Sequence, residues 1–371
     1  MAIDRLDFGI FLAPFHPVRE NPTASLRRDF QLIEWLDELG YNEVWVGEHL
    51  AAPWEPYPAC DLILAQAIPR TENIKLCAGA YVTTFYHPAA LALRICQLDH
   101  MARGRFMCGF AAGGIPTDFP LVNVDAASGQ NRRMMHETIA IVLKMWAEWD
   151  QPWEYVGEFW TVRNPEKYLA YWPHMRPYQS PRPPVGIAGL SPNSDTIKFA
   201  GENGFLPLSL TFNAQYLRGH WGMVQEGAAS AGKSCDRRDW RVIRDIHVAE
   251  TDKEAKEWVR TSHWAGHWQE QNFPLLKAFN WTQYLKHDPS FPDDDVDIDY
   301  LIENLWLVGS PETVLEKLEE QYETLGGFGT VVINKYDYGD TPDAYHRSLE
   351  LFAKEVLPSF NTKYPDADPI K

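Results

Sequence analysis

Residues 43–52, EVWVGEHLAA, decide how this chain is read. Val44, Trp45 and Val46 form the short apolar run of a buried strand, and Gly47 lets the backbone turn out of it. Glu48 and His49 then stand just beyond the strand's C-terminal end. In a parallel α/β barrel that end is the active-site rim. An imidazole there takes a proton near neutral pH, and a neighbouring carboxylate biases its charge or tautomer, so His49 and Glu48 are the candidate catalytic pair. In the simpler reading both merely close a strand and start a loop. What decides between the two is the rest of the chain.

Working outward, the same rhythm recurs. Apolar strand-like runs lie at 8–13, 75–80, 106–110, 185–188, 206–210, 240–248 and 330–333. Amphipathic or capped helical segments follow at 27–38, 61–68, 88–100, 131–149, 194–202, 214–231, 252–268, 310–322 and 343–356. Ser310 and Pro311 give a clear helix start, an N-cap followed by proline in the first turn. Eight strands, each followed by a helix, predict an α/β fold, a (β/α)8 barrel formed as one domain over residues 1–371. Two aperiodic stretches, 151–184 and 273–299, read as excursions at the C-terminal face, the first of them over the barrel mouth. A doubly wound open sheet is the alternative, but no G-x-G-x-x-G follows the first strand.

With 371 residues, 45% hydrophobic and 23% charged, the composition is that of an ordinary globular protein. The net charge of −17 argues against nucleic acid or an anionic membrane as partner, and requires any phosphate site to be local. Five cysteines without a C-x-x-C pair fit free thiols in a reducing cytoplasm. The chain enters a strand pattern almost at once, without a signal-peptide pattern, and no apolar run is long enough to span a membrane. His263 and His267 are four apart, but HWAGH lacks the glutamate of H-E-x-x-H and no third ligand is evident, so no metal site is expected. GLSPNSDTIKFAG opens a helix after the fifth strand, where Ser191, Asn193 and Ser194 either bind an anion or simply cap the helix. Gly113 and Gly114, after the fourth strand, allow close approach of a ligand or merely a turn.

Five stretches in this order carry a resemblance over nearly the whole chain: GEHLAA, AYVTTFYHPAALA, LDHMARGRFMCGFAAGG, NSDTIKFAGENGF and LVGSPETVLEKL. Together they resemble the bacterial-luciferase-like flavin-dependent monooxygenases. NLWLVGSPETVLEKLEEQYETLGGFGT and SLELFAKEVLP look especially like the diketocamphane and limonene monooxygenase branch.

The resemblance implies a two-component enzyme. A separate flavin reductase supplies reduced FMN, which reacts with oxygen to a flavin hydroperoxide shielded from water. It implies that His49 is the active-site histidine, that Gly79–Ala80 is a non-prolyl cis peptide under the flavin ring, and that Ala111 and Ala112 also contact the cofactor. Ser191, Asn193 and Ser194 fall in the family's phosphate loop. Luciferase has an arginine near the flavin phosphate where this chain has Ala112, so Arg218 and His220 are the candidate cations. Trp54, Phe85, Tyr86 and Trp172 are expected to wall an apolar pocket for a rigid, ring-shaped substrate, with Baeyer–Villiger insertion into a ketone favoured over alkene or aldehyde oxidation. The family also implies a homodimer packed through the helices after strands two and three. A deazaflavin-dependent hydride-transferring oxidoreductase and a non-catalytic flavin-binding barrel remain as alternatives.

Overall fold

The computed structural model describes residues 6–172, 174–210 and 212–364. Its strands are β1 (Asp7–Leu12), β2 (Glu43–Val46), β3 (Lys75–Val82), β4 (Phe106–Ala111), β5 (Trp153–Val156), β6 (Thr161–Asn164), β7 (Val185–Gly189), β8 (Leu206–Ser209), β9 (Arg241–Arg244), β10 (Ile246–Val248), β11 (Leu307–Gly309) and β12 (Thr330–Asn334). Eight of them close a parallel barrel in the order β1-β12-β9-β8-β7-β4-β3-β2.

The helices begin with α1 (Pro22–Glu38), α2 (Cys60–Ala67), α3 (Pro88–Ala102), α4 (Gln130–Ala147), α5 (Asp195–Asn203), α6 (Ala214–Leu217) and α7 (His220–Ser230). They continue with α8 (Asp252–Thr261), α9 (His263–His267), α10 (Phe273–Ala278), α11 (Ile298–Asn304), α12 (Pro311–Leu325), α13 (Pro342–Leu351) and α14 (Leu357–Lys363). No helix among the described residues is long and apolar enough to cross a membrane.

Trp45 fills the centre of the barrel. It packs with Cys77, Met107, Leu208, Ile243 and Val332, one inward side chain from each of five other strands. Its neighbours must be small: a Cβ on Gly79 would lie 2.7 Å from Trp45 Cβ, and one on Gly186 2.8 Å from the indole ring. Below it, Trp45 Nε1 donates to Glu43 (2.8 Å), and Glu43 pairs with Arg241 (3.2 Å). The tryptophan that opened the sequence reading is therefore the plug on which the active-site floor rests.

Several boundaries move, each for a local reason. α1 begins at Pro22 because Asn21 caps it, accepting from Thr23 N. The expected helix over 214–231 breaks at Arg218–Gly219, where a Cβ on Gly219 would lie 3.0 Å from the Pro192 carbonyl. The expected strand over 240–248 ends in the barrel at Arg244. Beyond Asp245, β10 pairs in parallel with β11, a strand absent from the sequence reading. The helix expected over 252–268 ends at Thr261; extended Ser262 interrupts it and caps α9. The stretch 273–299 holds α10 and the start of α11 rather than only loop.

The stretch 151–184 does not cover the mouth. α4 runs down from the rim, so the chain leaving it starts at the N-terminal face. Asn164 Nδ2 donates to the Gln151 carbonyl (2.6 Å), just past the end of α4. Gln179 binds Asp99 in the last turns of α3 and the carbonyl of Phe106, the first residue of β4. Between these points the β5–β6 hairpin climbs the flank of the barrel. Glu137 in α4 accepts the amides of Glu158, Phe159 and Trp160, and Trp160 meets His87 edge-on at 5.1 Å.

A buried ionic network closes the rim between β1 and β12. His16 bridges Asp337 (Nδ1, 2.6 Å) and Asp29 (Nε2, 2.8 Å), and Lys335 lies 3.0 Å from Asp29. Arg28 spans Asp337 and Glu20, while Tyr57 OH lies 3.1 Å from His16 Nε2 and donates to Ser25. His16, Asp29, Lys335 and Asp337 are all buried. Burial opposes charge on Asp29, but the charges of Lys335 and His16 outweigh it and hold the carboxyl below its usual range.

Candidate active site

His49 stands where the β2 reading put it, with its backbone amide on the Tyr57 carbonyl (2.9 Å). Its ring lies between two carboxylates drawn from other loops: Nδ1 is 2.7 Å from Asp118 and Nε2 is 3.4 Å from Glu55. The second oxygen of Asp118 accepts the amides of Leu50 (2.8 Å) and Ala51 (2.7 Å), which fixes that carboxylate against the His49 loop. Burial disfavours the imidazolium, but the Asp118 hydrogen bond and the Glu55 and Asp118 charges outweigh it, so the His49 pKa rises. Burial also raises Glu55, against the opposing pull of His49 and a hydrogen bond from Gln271.

Glu48 does not pair with His49. Its carboxylate accepts from Cys60 N (3.1 Å), Val82 N (3.0 Å) and Tyr86 OH (2.8 Å), tying the start of α2 to the end of β3. Adjacent residues in extended chain point to opposite sides, so a residue beside His49 in sequence faces away from it in space. The partners that do pair, Asp118 and Glu55, escaped the sequence reading. Their only sequence signal is a lone acid inside an aromatic, proline-bearing loop: PTDFP for one, PWEPYP for the other.

The Gly79–Ala80 peptide is cis, and the β3–β4 register shifts between Ala78 and Tyr81. Gly79, Ala80, Ala111, Ala112 and Gly113 are half-buried, and a Cβ on Gly114 would meet nothing within 4 Å. This floor of small side chains above Trp45 is a flat, open cradle that fits a planar isoalloxazine ring. At α5 the Ser194 hydroxyl caps the helix, accepting from Ile197 N (3.3 Å). Ser191 and Asn193 remain exposed beside the first-turn amides, which have no intrahelical acceptor. That helix end fits a phosphate, although exposed Asp195 sets a carboxylate on the same turn.

Of the two expected cations, His220 is excluded by its bonds. Its Nδ1 lies 2.7 Å from the Ser209 hydroxyl, and its Nε2 donates to the Ser191 carbonyl (2.7 Å). Burial lowers its pKa, so it is a neutral strut under the loop. Arg218 is exposed, next to the Gly219 backbone that abuts Pro192. A third cation, Arg244, is buried close enough to His220 to depress its pKa. Its Nε and Nη2 have no hydrogen-bond partner among the described residues, and burial, against the charge of Asp245, lowers its pKa to about 10.

The four expected pocket aromatics separate. Trp54 is half-buried in the turn carrying Glu55, and Phe85 is half-buried in the turn after β3; both remain at the rim. Tyr86 is turned into the protein, with its hydroxyl on Glu48, its ring edge-on to Tyr81 and Arg94 over its face. Trp172 stands beside Lys167 on the segment anchored under the barrel, far from the mouth. α9 and the π-helical turn Trp268–Asn272 carry a separate, buried aromatic cluster. Trp264 stacks on Tyr336 (4.5 Å), Trp268 Nε1 donates to Tyr336 OH (2.8 Å), and His267 packs on Phe15 (4.0 Å). His263 pairs with exposed Asp340, so the two histidines do not converge. The one cluster of metal-ligand geometry among the described residues is His16, Glu20 and Asp337, where Arg28 already bridges the two carboxylates.

Comparisons with known proteins agree with this layout. The sequence pattern of luciferase-like monooxygenases matches residues 6–327. The chain is 33% identical to 2,5-diketocamphane 1,2-monooxygenase 1 of Pseudomonas putida over 356 residues, covering 93% of this chain and 97% of that one. It is 31% identical to limonene 1,2-monooxygenase of Rhodococcus erythropolis, covering 96% and 87%. Among solved structures, the oxygenating constituent of 3,6-diketocamphane monooxygenase of P. putida, a type II Baeyer–Villiger monooxygenase in complex with FMN, superposes with a TM-score of 0.90 at 29% identity, covering 95% and 98%.

Proposed function

This chain belongs to the luciferase-like monooxygenase family, and from that premise we propose that it is an FMN-dependent, two-component monooxygenase acting on a small apolar substrate. The favoured reaction is Baeyer–Villiger insertion of one oxygen atom into an alicyclic or terpenoid ketone. In balance, ketone, O2 and reduced FMN become ester or lactone, water and oxidised FMN. The observation that carries the reading is a doubly clamped histidine, His49, at the rim of a barrel floored by small residues.

Reduced FMN, supplied by a separate reductase, provides the activation of oxygen. The chain's own residues do the rest. Ala80, Ala111 and Ala112 leave room for the planar ring. Ser191, Asn193 and the first-turn amides of α5 would hold the phosphate, with Arg218 as the exposed cation nearby. Trp54 and Phe85, half-buried at the rim, favour a hydrocarbon skeleton. His49, with Nδ1 held by Asp118, presents Nε2 as the site of proton exchange.

The test is oxygen uptake with chemically or enzymatically reduced FMN against a panel of cyclic ketones and terpenes, read by product mass. Uptake with one oxygen added to product supports the proposal. Hydride exchange without oxygen would mean a deazaflavin-type oxidoreductase, and flavin binding with neither would mean a non-catalytic barrel. The phosphate assignment has its own check. Ser194→Asp keeps an N-cap, so the fold is retained while a negative charge enters the site. FMN affinity by fluorescence quenching should fall at least about tenfold, roughly 1.4 kcal/mol; an unchanged affinity puts the phosphate elsewhere.

The same reading takes the chain as one barrel domain and a homodimer packed through α2 and α3. Leu62 on α2 is 66% exposed and Met101 on α3 is 43% exposed, which supports an apolar contact there. Light scattering at micromolar concentration should give the dimer mass. A cytoplasmic location belongs to this reading too, since all five cysteines are unpaired.

A further inference from the structure

We propose that Glu55 is a positioning residue that shares the Nε2 proton of His49. The purpose of this device rests on the monooxygenase reading; its geometry does not.

The two carboxylates on His49 differ. Asp118 takes a short bond from Nδ1 and two backbone amides, so it is fully engaged. Glu55 lies farther from Nε2, at 3.4 Å. Glu55 is buried, and its backbone closes a tight turn with Ala52 (3.1 Å), so its carboxyl has little freedom to swing into water. A buried acid with few donors beside an imidazole is the arrangement in which one proton has two homes. It sits on Nε2 in the imidazolium–carboxylate form and on Glu55 in the imidazole–carboxylic acid form. No electron moves and no co-reactant is needed.

The charged groups acting on His49 are Asp118 from the loop after β4, and Glu55 and Glu48 from the segment after β2.

The test uses flavin-free protein with labelled histidine, following the His49 ring by NMR from pH 5 to 9. In the native protein His49 should titrate above the ordinary histidine value. Glu55→Gln should lower the midpoint by at least about one pH unit, the scale of an opposite charge at this range. Glu55→Asp should restore part of it. A merely structural Glu55 would lower the melting temperature of Glu55→Gln without moving the midpoint, and that result overturns the proposal. Where Glu55→Gln does not fold, Glu55→Asp carries the test: its shorter carboxylate sits farther from Nε2, so the midpoint should fall by a smaller amount, and an unmoved midpoint overturns the proposal. No flavin, oxygen or substrate is present, so these outcomes stand apart from the fate of the monooxygenase reading.

Discussion

His49→Ala is expected to lower oxygenated product at least about tenfold, within the 10²–10⁴-fold range of a general acid–base group, while oxidation of reduced FMN continues. The electrons then appear as hydrogen peroxide. The floor of small residues and the α5 helix end are untouched by the change, so flavin affinity should stay within about twofold. Asp118→Asn should show a weaker version of the same uncoupling. It keeps the oxygen that accepts the Leu50 and Ala51 amides but loses the charge that helps raise the His49 pKa. Because that pKa is raised, the protonated form persists to higher pH than in a free imidazole, and coupling should decline as pH rises through the folded value. Parallel assays of product and peroxide decide the matter. Full coupling in His49→Ala removes the assigned role and leaves the fold and cofactor assignments standing.

Lys335→Met should cost about 3–5 kcal/mol of stability, the usual penalty for stripping one partner from a buried ion pair. Methionine keeps much of the apolar stem, so the loss is electrostatic. Asp29 would keep only His16 as a charged partner in a site closed to water. Urea unfolding measures the cost. The double variant Asp29→Asn with Lys335→Met should recover part of it, since the uncompensated charge is gone. The native pH dependence follows from the same pairing. Asp29 and Asp337 have folded pKa values below their unfolded ones, so their contribution is complete above about pH 4 and is lost as pH falls through the folded values. In Lys335→Met the acid loss should start at higher pH. A cost under about 1 kcal/mol would mean that the network is held by packing alone.

What the sequence disclosed follows from how local each feature is. β2 was legible because Val44–Val46 is apolar on both faces, as a strand inside a helix-covered barrel must be. α12 was legible because Ser310 and Pro311 act within one turn. The split after Arg244 was not, since Asp245 interrupts the strand to receive Tyr336 and Asn334, some ninety residues away. The same limit governs the site. His49 could be read from strand and turn alone, whereas Asp118 and Glu55 reach it from loops whose paths depend on tertiary packing. Trp172 was misplaced because aromatic richness marks a surface worth covering without saying which end of the barrel it covers.

The segment that hangs beneath the barrel offers a practical handle. Tyr168, Leu169 and Tyr171 are more than 70% exposed, at the tip of a loop pinned at its base by the His174–Asn164 bond of 2.7 Å. A tether, a fluorescent label or a fused reductase attached there would grip the molecule by its underside. The mouth would then face outward from a support, free to take up flavin and oily substrate from the surrounding liquid.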